Sequence, residues 1–165
     1  NLIARSVVKT DSLIGADKQI NLTLTTSQSL EILKPDIFKE FIDRGKIIIR
    51  DEGTAVSYTL ISAEVKYGSS FSDGIFGGIL IQREIVIRGN LTVSRTGFVP
   101  RPSEFTETAL DTIELEDISS IENKSIPFTQ APIPSRPLLS TFWEPIIVVG
   151  TLIGSVILLF TVRSK

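Results

Sequence analysis

The eighteen residues from Pro145 to Val162, PIIVVGTLIGSVILLFTV, carry no charge, and a chain holding such a run must bury it or give it to lipid. As a helix rising 1.5 Å per residue the run is about 27 Å long, close to the roughly 30 Å hydrocarbon core of a bilayer, so it predicts one C-terminal transmembrane helix. Its ends are marked as well. Thr141-Phe-Trp-Glu144 has capping-box spacing, and Pro145 suits a first helical turn. Phe142 and Trp143 fall at interface depth, while Arg163 and Lys165 close the far end. Gly150 and Gly154 stand in a small-xxx-small pattern that lets two helix backbones approach in lipid, which makes them the expected contact for self-association.

With the anchor set aside, enough chain is left for one domain with one core. The expected division is an α+β domain over 1–112, an acidic and Pro-rich linker over 113–140 and the anchor with a short basic tail over 141–165. Several chemistries are excluded by composition. A formal net charge of -2 offers no basic footprint for nucleic acid. Without cysteine there is no disulfide framework, thiolate metal site or cysteine nucleophile, and without histidine the usual general base and commonest metal ligand are missing. Neither a catalytic set, a cofactor nor a metal is expected.

Along the chain, Ile3, Val7, Leu13 and Ile14 suggest a short amphipathic helix, although Val7, Val8 and Thr10 are also compatible with a strand. Ile20, Leu22 and Leu24 alternate with polar neighbours and predict a half-buried strand over Lys18–Thr25. Leu33, Ile37, Phe38, Phe41 and Ile42 recur at helical spacing between Pro35 and Gly45, which predicts a helix over Leu33–Arg44. The β-branched run Lys46–Arg50 reads as a strand covered on much of both faces. Thr54–Tyr67 alternates with Val56, Tyr58 and Leu60 on one face, then changes phase to Ile61, Ala63, Val65 and Tyr67. A one-residue slip reverses every side chain, so a β-bulge is expected near Leu60 and Ile61. Ile79–Arg95 alternates more regularly, with Arg83 as the one charge on its apolar face, placed near a strand end where its head can reach water. The fold class is thus α+β: a small antiparallel sheet with one packed amphipathic helix, followed by a Pro-rich stalk and the membrane helix.

Gly68–Gly78, GSSFSDGIFGG, reads as a hairpin connection with its turn at Asp73-Gly74. A solvated loop does not need Phe71 and Phe76, so Phe71, Asp73, Gly74 and Phe76 form the candidate partner contact. Glu104, Glu107, Asp111, Glu114, Glu116, Asp117 and Glu122 make an acidic stretch that lacks the spacing of a calcium loop and suits a basic partner better. Pro127, Pro132, Pro134 and Pro137 then stiffen a stalk.

The order of helix, Gly45, IIIRDE and two long strands around DGIFGG, together with the C-terminal IENKSIPFT and WEPIIVVGTLIGSVILLFTVRSK, resembles small bacterial envelope proteins of the kind encoded in Bacteroidetes and Chlorobi. More distantly, the core from Leu33 to Arg95 is similar to the periplasmic domain of curli-secretion-channel and flagellar outer-membrane lipoproteins. The resemblance implies a structural role in the envelope. Arg163 and Lys165 behind the span place the C-terminus in the cytoplasm and the N-terminal domain in the periplasm. A chain without methionine implies processing upstream, as a cleaved signal peptide would give. The expected function is therefore scaffolding or assembly at the membrane with protein partners in the envelope, the alternative being a ligand-binding or sensory module.

Overall fold

The computed structural model describes residues 1–50, 52–73, 77–95, 97, 99–134, 146–153 and 155–158, the side chain of Arg101 excepted. Helix α1 spans Leu2–Ile14 and strand β1 Gln19–Thr26; a 3-10 turn, Gln28–Leu33, leads into α2, Lys34–Asp43. Strands β2 (Ile47–Ile48), β3 (Thr54–Ser72), β4 (Ile79–Ser94) and β5 (Arg101–Glu114) follow. They form one sheet in the order β2-β1-β3-β4-β5.

The sheet is mixed, which corrects the expected antiparallel one. β1 runs parallel to both β2 and β3, while β3, β4 and β5 are antiparallel neighbours. β1 and β2 are joined through α2, and a helical connection is what returns a strand parallel to its predecessor. The expectation of one packed helix is corrected too, because α1 and α2 both feed the same core. α1 is helical because Ile3, Val7, Thr10 and Ile14 fall on one stripe, all buried, and because Asn1 caps it by accepting from the Ile3 N–H at 3.0 Å.

Two hydroxyls are carried inside with that stripe, and both are satisfied. Thr10 donates to the Ser6 carbonyl at 3.0 Å and Ser6 to the Ile3 carbonyl at 2.8 Å. Since Ser6 has only one proton to give, the Tyr58 hydroxyl, 2.7 Å away, donates to Ser6 Oγ. Tyr58 stands at the centre of the core. Phe41 of α2 meets it edge-on with ring centroids 6.3 Å apart, and Phe105 of β5 lies tilted against it at 5.2 Å. Burial above all, assisted by the Glu107 charge, pushes the Tyr58 phenol up to about 12.

α2 ends as its sequence requires. Gly45 adopts a φ of 76°, and its N–H closes on the Ile42 carbonyl at 2.8 Å. Ile37 and Phe41 are fully buried, whereas Ile42 is exposed. The Lys46–Arg50 run does not become a strand covered on both faces. It contributes only the two-residue edge strand β2, on which Ile47 is exposed. Its anchor is Lys46, whose buried ammonium pairs with Asp11 at 2.7 Å and donates to the Gly15 and Asp17 carbonyls, tying the end of α1 to the sheet edge.

The bulge stands where the phase change in β3 puts it. Pairing with β4 shifts between Leu60 and Ser62, which leaves Ile61 outside at 55% exposure. Before it, Val56, Tyr58 and Leu60 face the helices; after it, Ala63, Val65 and Tyr67 continue the same face of the sheet. Beside the bulge, Leu60, Gly89 and Phe105 form one cross-strand row. A Cβ on Gly89 would come within 2.5 Å of Phe105 Cζ, so only glycine lets that ring lie across β4.

The acidic stretch is not solvated coil. Its first part is β5, with Phe105 and Glu107 both buried. Glu107 is met from α1 by Lys9 at 2.6 Å and by Arg5 at 3.7 Å. Beyond β5 come a 3-10 turn, Leu115–Asp117, the short helix α3, Ile118–Ile121, and a second 3-10 turn, Pro127–Thr129. Ile118 is buried there and Phe128 packs against the core.

Residues 146–153 and 155–158 are helical. Among the described residues no helix is long and apolar enough to cross a membrane. Thr141 to Pro145, Gly154, Arg163 and Lys165 lie outside the described residues.

Candidate functional site

Beyond the bulge the sheet continues where the helices stop. Its inward face is laid out in three cross-strand rows, read from β3 through β4 to β5: Ala63, Ile87 and Glu107; then Val65, Ile85 and Ala109; then Tyr67, Arg83 and Asp111. α1 begins only at Leu2, so its first turn forms one wall over this floor and goes no further. The chain after β5 folds back to form the opposite wall with Ile121 and Phe128. Between them is a groove of about 410 Å³ whose lining is mostly apolar.

The last row gives the groove a polar end. Arg83 does not reach water from a strand end as expected. The fifth residue of β4, it has its side chain 16% exposed and grips Asp111 through Nε, at 2.9 Å, and through Nη2. That two-pronged bond, with the opposite charge behind it, holds the Asp111 carboxyl below the usual range against the opposing effect of burial. Next to it stands the Tyr67 hydroxyl. Burial first, then its hydrogen bond to the Glu122 carboxylate and the charge of that carboxylate, push this phenol up to about 12. Glu122 itself accepts from the Ala131 N–H at 3.1 Å.

The second candidate is the tip of the β3–β4 hairpin. The strands run further than the glycine-rich sequence suggests, because Phe71 and Ser72 still pair with Leu80 and Ile79. The Asp73 N–H then donates to the Gly78 carbonyl at 3.0 Å. Phe71 is 46% exposed. Of the expected contact residues, Phe71 and Asp73 share this tip, while Gly74 and Phe76 lie outside the described residues. Gly150 sits on the C-terminal helix with open space where a side chain would be, and its expected partner Gly154 lies outside.

Sequence reasoning did not find the groove. Its signal was the small residues Ala63 and Ala109 at inward positions of long strands, with Tyr67 and Arg83 closing the rows. Of the expected contact residues, the described ones, Phe71, Asp73 and Gly150, do not line it.

No family model and no curated protein matches the chain. Among solved structures, rare lipoprotein B from Shewanella oneidensis is similar at a TM-score of 0.36, with 13% identity over 81% of this chain and 83% of that one. A likeness that slight carries no argument about this chain.

Proposed function

We propose that this chain is a membrane-anchored envelope protein with a non-enzymatic scaffolding or assembly role, its α+β domain held in the periplasm and its hairpin tip offered to a protein partner. The observation that carries the reading is the uncharged run from Pro145 to Val162 together with the state of its described part. Ile146, Val148, Leu152, Ile157 and Leu158 each leave about half or more of their surface open. A water-soluble domain seldom leaves a contiguous apolar surface of this kind uncovered, whereas a bilayer covers it. The lack of histidine and cysteine supports a role without catalysis.

The topology is tested with protease added outside intact spheroplasts. The domain before Ser140 is digested and a small membrane-protected fragment survives; a fully protected domain contradicts the reading. The partner is tested by replacing Phe71 and Phe76 with Ser. Recovery of cross-linked envelope proteins then falls while thermal stability is nearly unchanged, and unchanged recovery contradicts the reading.

One observation favours a second reading, a ligand-binding module coupled to the membrane: the apolar groove with a polar end is the shape of a small-molecule site.

A further inference from the structure

We propose that the free edge of β5 is a docking edge for the β5 of a second copy of this chain, and that the Arg5 guanidinium holds it closed in the single chain. The inference stands apart from the anchor, the groove and the hairpin tip.

β5, Arg101–Glu114, is the last strand of the sheet and pairs with β4 along its whole length, so its other edge has no strand beside it. Alternate residues of an antiparallel strand turn N–H and C=O to the same side. Two observations fix which residues serve the free side. Pro102 has no N–H to give β4, and the Thr108 carbonyl is turned out to accept from Arg5 Nη2. Glu104, Thr106, Leu110 and Thr112 therefore share that side, and among the described residues no other hydrogen bond reaches it.

A long free edge is a template for another strand, and the sequence of β5 argues for a second copy. Two antiparallel registers keep nearly all of β5 paired with another β5, one centred on Glu107 and one on Thr108. The first sets Glu107 opposite Glu107, a like-charge pair. The second sets Glu104 opposite Thr112, Thr106 opposite Leu110 and Thr108 opposite itself, and no acid then faces another acid. Thr108 is also where the edge is shut. Arg5 reaches it from α1 with Glu107 at 3.7 Å behind the guanidinium, and its head takes the acceptor that a neighbouring strand's N–H would use. Lys9 already answers Glu107 at 2.6 Å, so the charge of Arg5 is left over. A second copy brings its own Arg5 to the same place, because Thr108 lies on the two-fold axis of the pair. The two cations then meet, which closes the edge against this partner above others.

The test uses the absence of native cysteine. The full chain carrying Thr108→Cys is held in a nonionic detergent with fewer chains than micelles, and the rate of disulfide dimer formation is followed under copper phenanthroline. Residues directly opposite in a hydrogen-bonded pair stand about 5.5 Å apart at Cα, within reach of a disulfide. The same chain carrying Thr23→Cys, exposed on β1, is the control. With Arg5 in place both thiols couple slowly. Adding Arg5→Met, which keeps the apolar stem, speeds coupling of the Thr108→Cys chain by about tenfold or more and leaves the control unchanged. Arg5→Lys, which keeps the charge, stays within about threefold of the intact rate. In a mixture of Arg5→Met chains, Glu104→Cys couples to Thr112→Cys, while Thr112→Cys does not couple to itself across about 27 Å. Fast coupling with Arg5 in place, no gain on its removal, or Thr112→Cys coupling to itself as readily as to Glu104→Cys overturns the proposal. An equal gain at the control would mark a chain that has come apart; Arg5→Ala then decides by the same criteria.

Discussion

The two halves of the β3–β4 pair are made of similar sequence and are put to different use. Toward the start of β3, Val56, Tyr58 and Leu60 lie under α1 and α2 and are buried to within about 1% of their surface. Past Ile61, Val65, Ile85 and Tyr67 face the same way and are only half-buried, because no helix reaches them. The alternation is as regular in one half as in the other. What differs is the cover above it, and a strand pattern reports which residues share a face without reporting what lies on that face. The half before the bulge holds the fold together, and the half after it is free to hold something else.

Substitutions can break or sharpen that contrast. The largest effect is expected from Phe41→Ala, which removes the ring that meets Tyr58 edge-on and leaves a closed cavity. It should cost about 3 to 5 kcal/mol in denaturant unfolding while leaving the groove's rows in register. A cost under about 1 kcal/mol would mean that the helix-covered half does not carry the stability. Glu107→Ala comes next, at the border of the two halves. Lys9 and Arg5 are half exposed and can turn to water once their carboxylate is gone, so the loss is about 1 to 2 kcal/mol, short of that for a pair buried on both sides. Its Lys9→Met, Arg5→Met background should recover much of that loss, and failure to do so would separate α1 docking from these charges.

A smaller effect follows from Asp111. Its folded pKa lies below its ordinary value, so the folded state binds fewer protons there and the ion pair stabilises the fold above the unfolded value near 3.8. The stability difference between the protein and Asp111→Asn should be constant from neutral pH down to about pH 4, then shrink as pH falls through the lowered folded pKa. A difference that grows with acidity would contradict the assignment. The smallest stability change belongs to Phe71→Ser. Despite the same side chain as Phe41, its position at the open tip limits the cost to roughly 0.5 kcal/mol. A larger cost would make Phe71 part of the folded core and not a contact in waiting.

What could be read from the sequence followed the reach of local pattern. α2 and its stop were legible because Pro35, the apolar stripe and Gly45 all act within a few residues. The bulge was legible because a phase change inside one strand is visible in one strand. β5 was hidden because its inward face alternates Phe105, Glu107, Ala109 and Asp111, and two of the four are acidic. Their charges are answered by Arg5, Lys9 and Arg83, which lie far away in sequence, so counting acids in a window mistakes a strand for a solvated run. Parallel pairing of β1 was likewise out of reach of periodicity, which does not register the direction of a neighbour. The groove needed all of these together, since its walls come from the two ends of the domain.

The division at Ile61 is tested most directly by deleting that one residue and following backbone amide hydrogen exchange along β3. Without the extra residue Ser62 follows Leu60 in an unbroken ladder opposite Arg88 and Gly89, so Ala63, Val65 and Tyr67 still face the groove and Thr54–Leu60 keeps its neighbours. Protection from Val56 to Leu60 and from Ala63 to Tyr67 should then both stay within about tenfold of the intact protein. A fall of about a hundredfold or more from Ala63 to Tyr67, as a reversed phase would give, or an equal loss along the whole strand, would contradict the account.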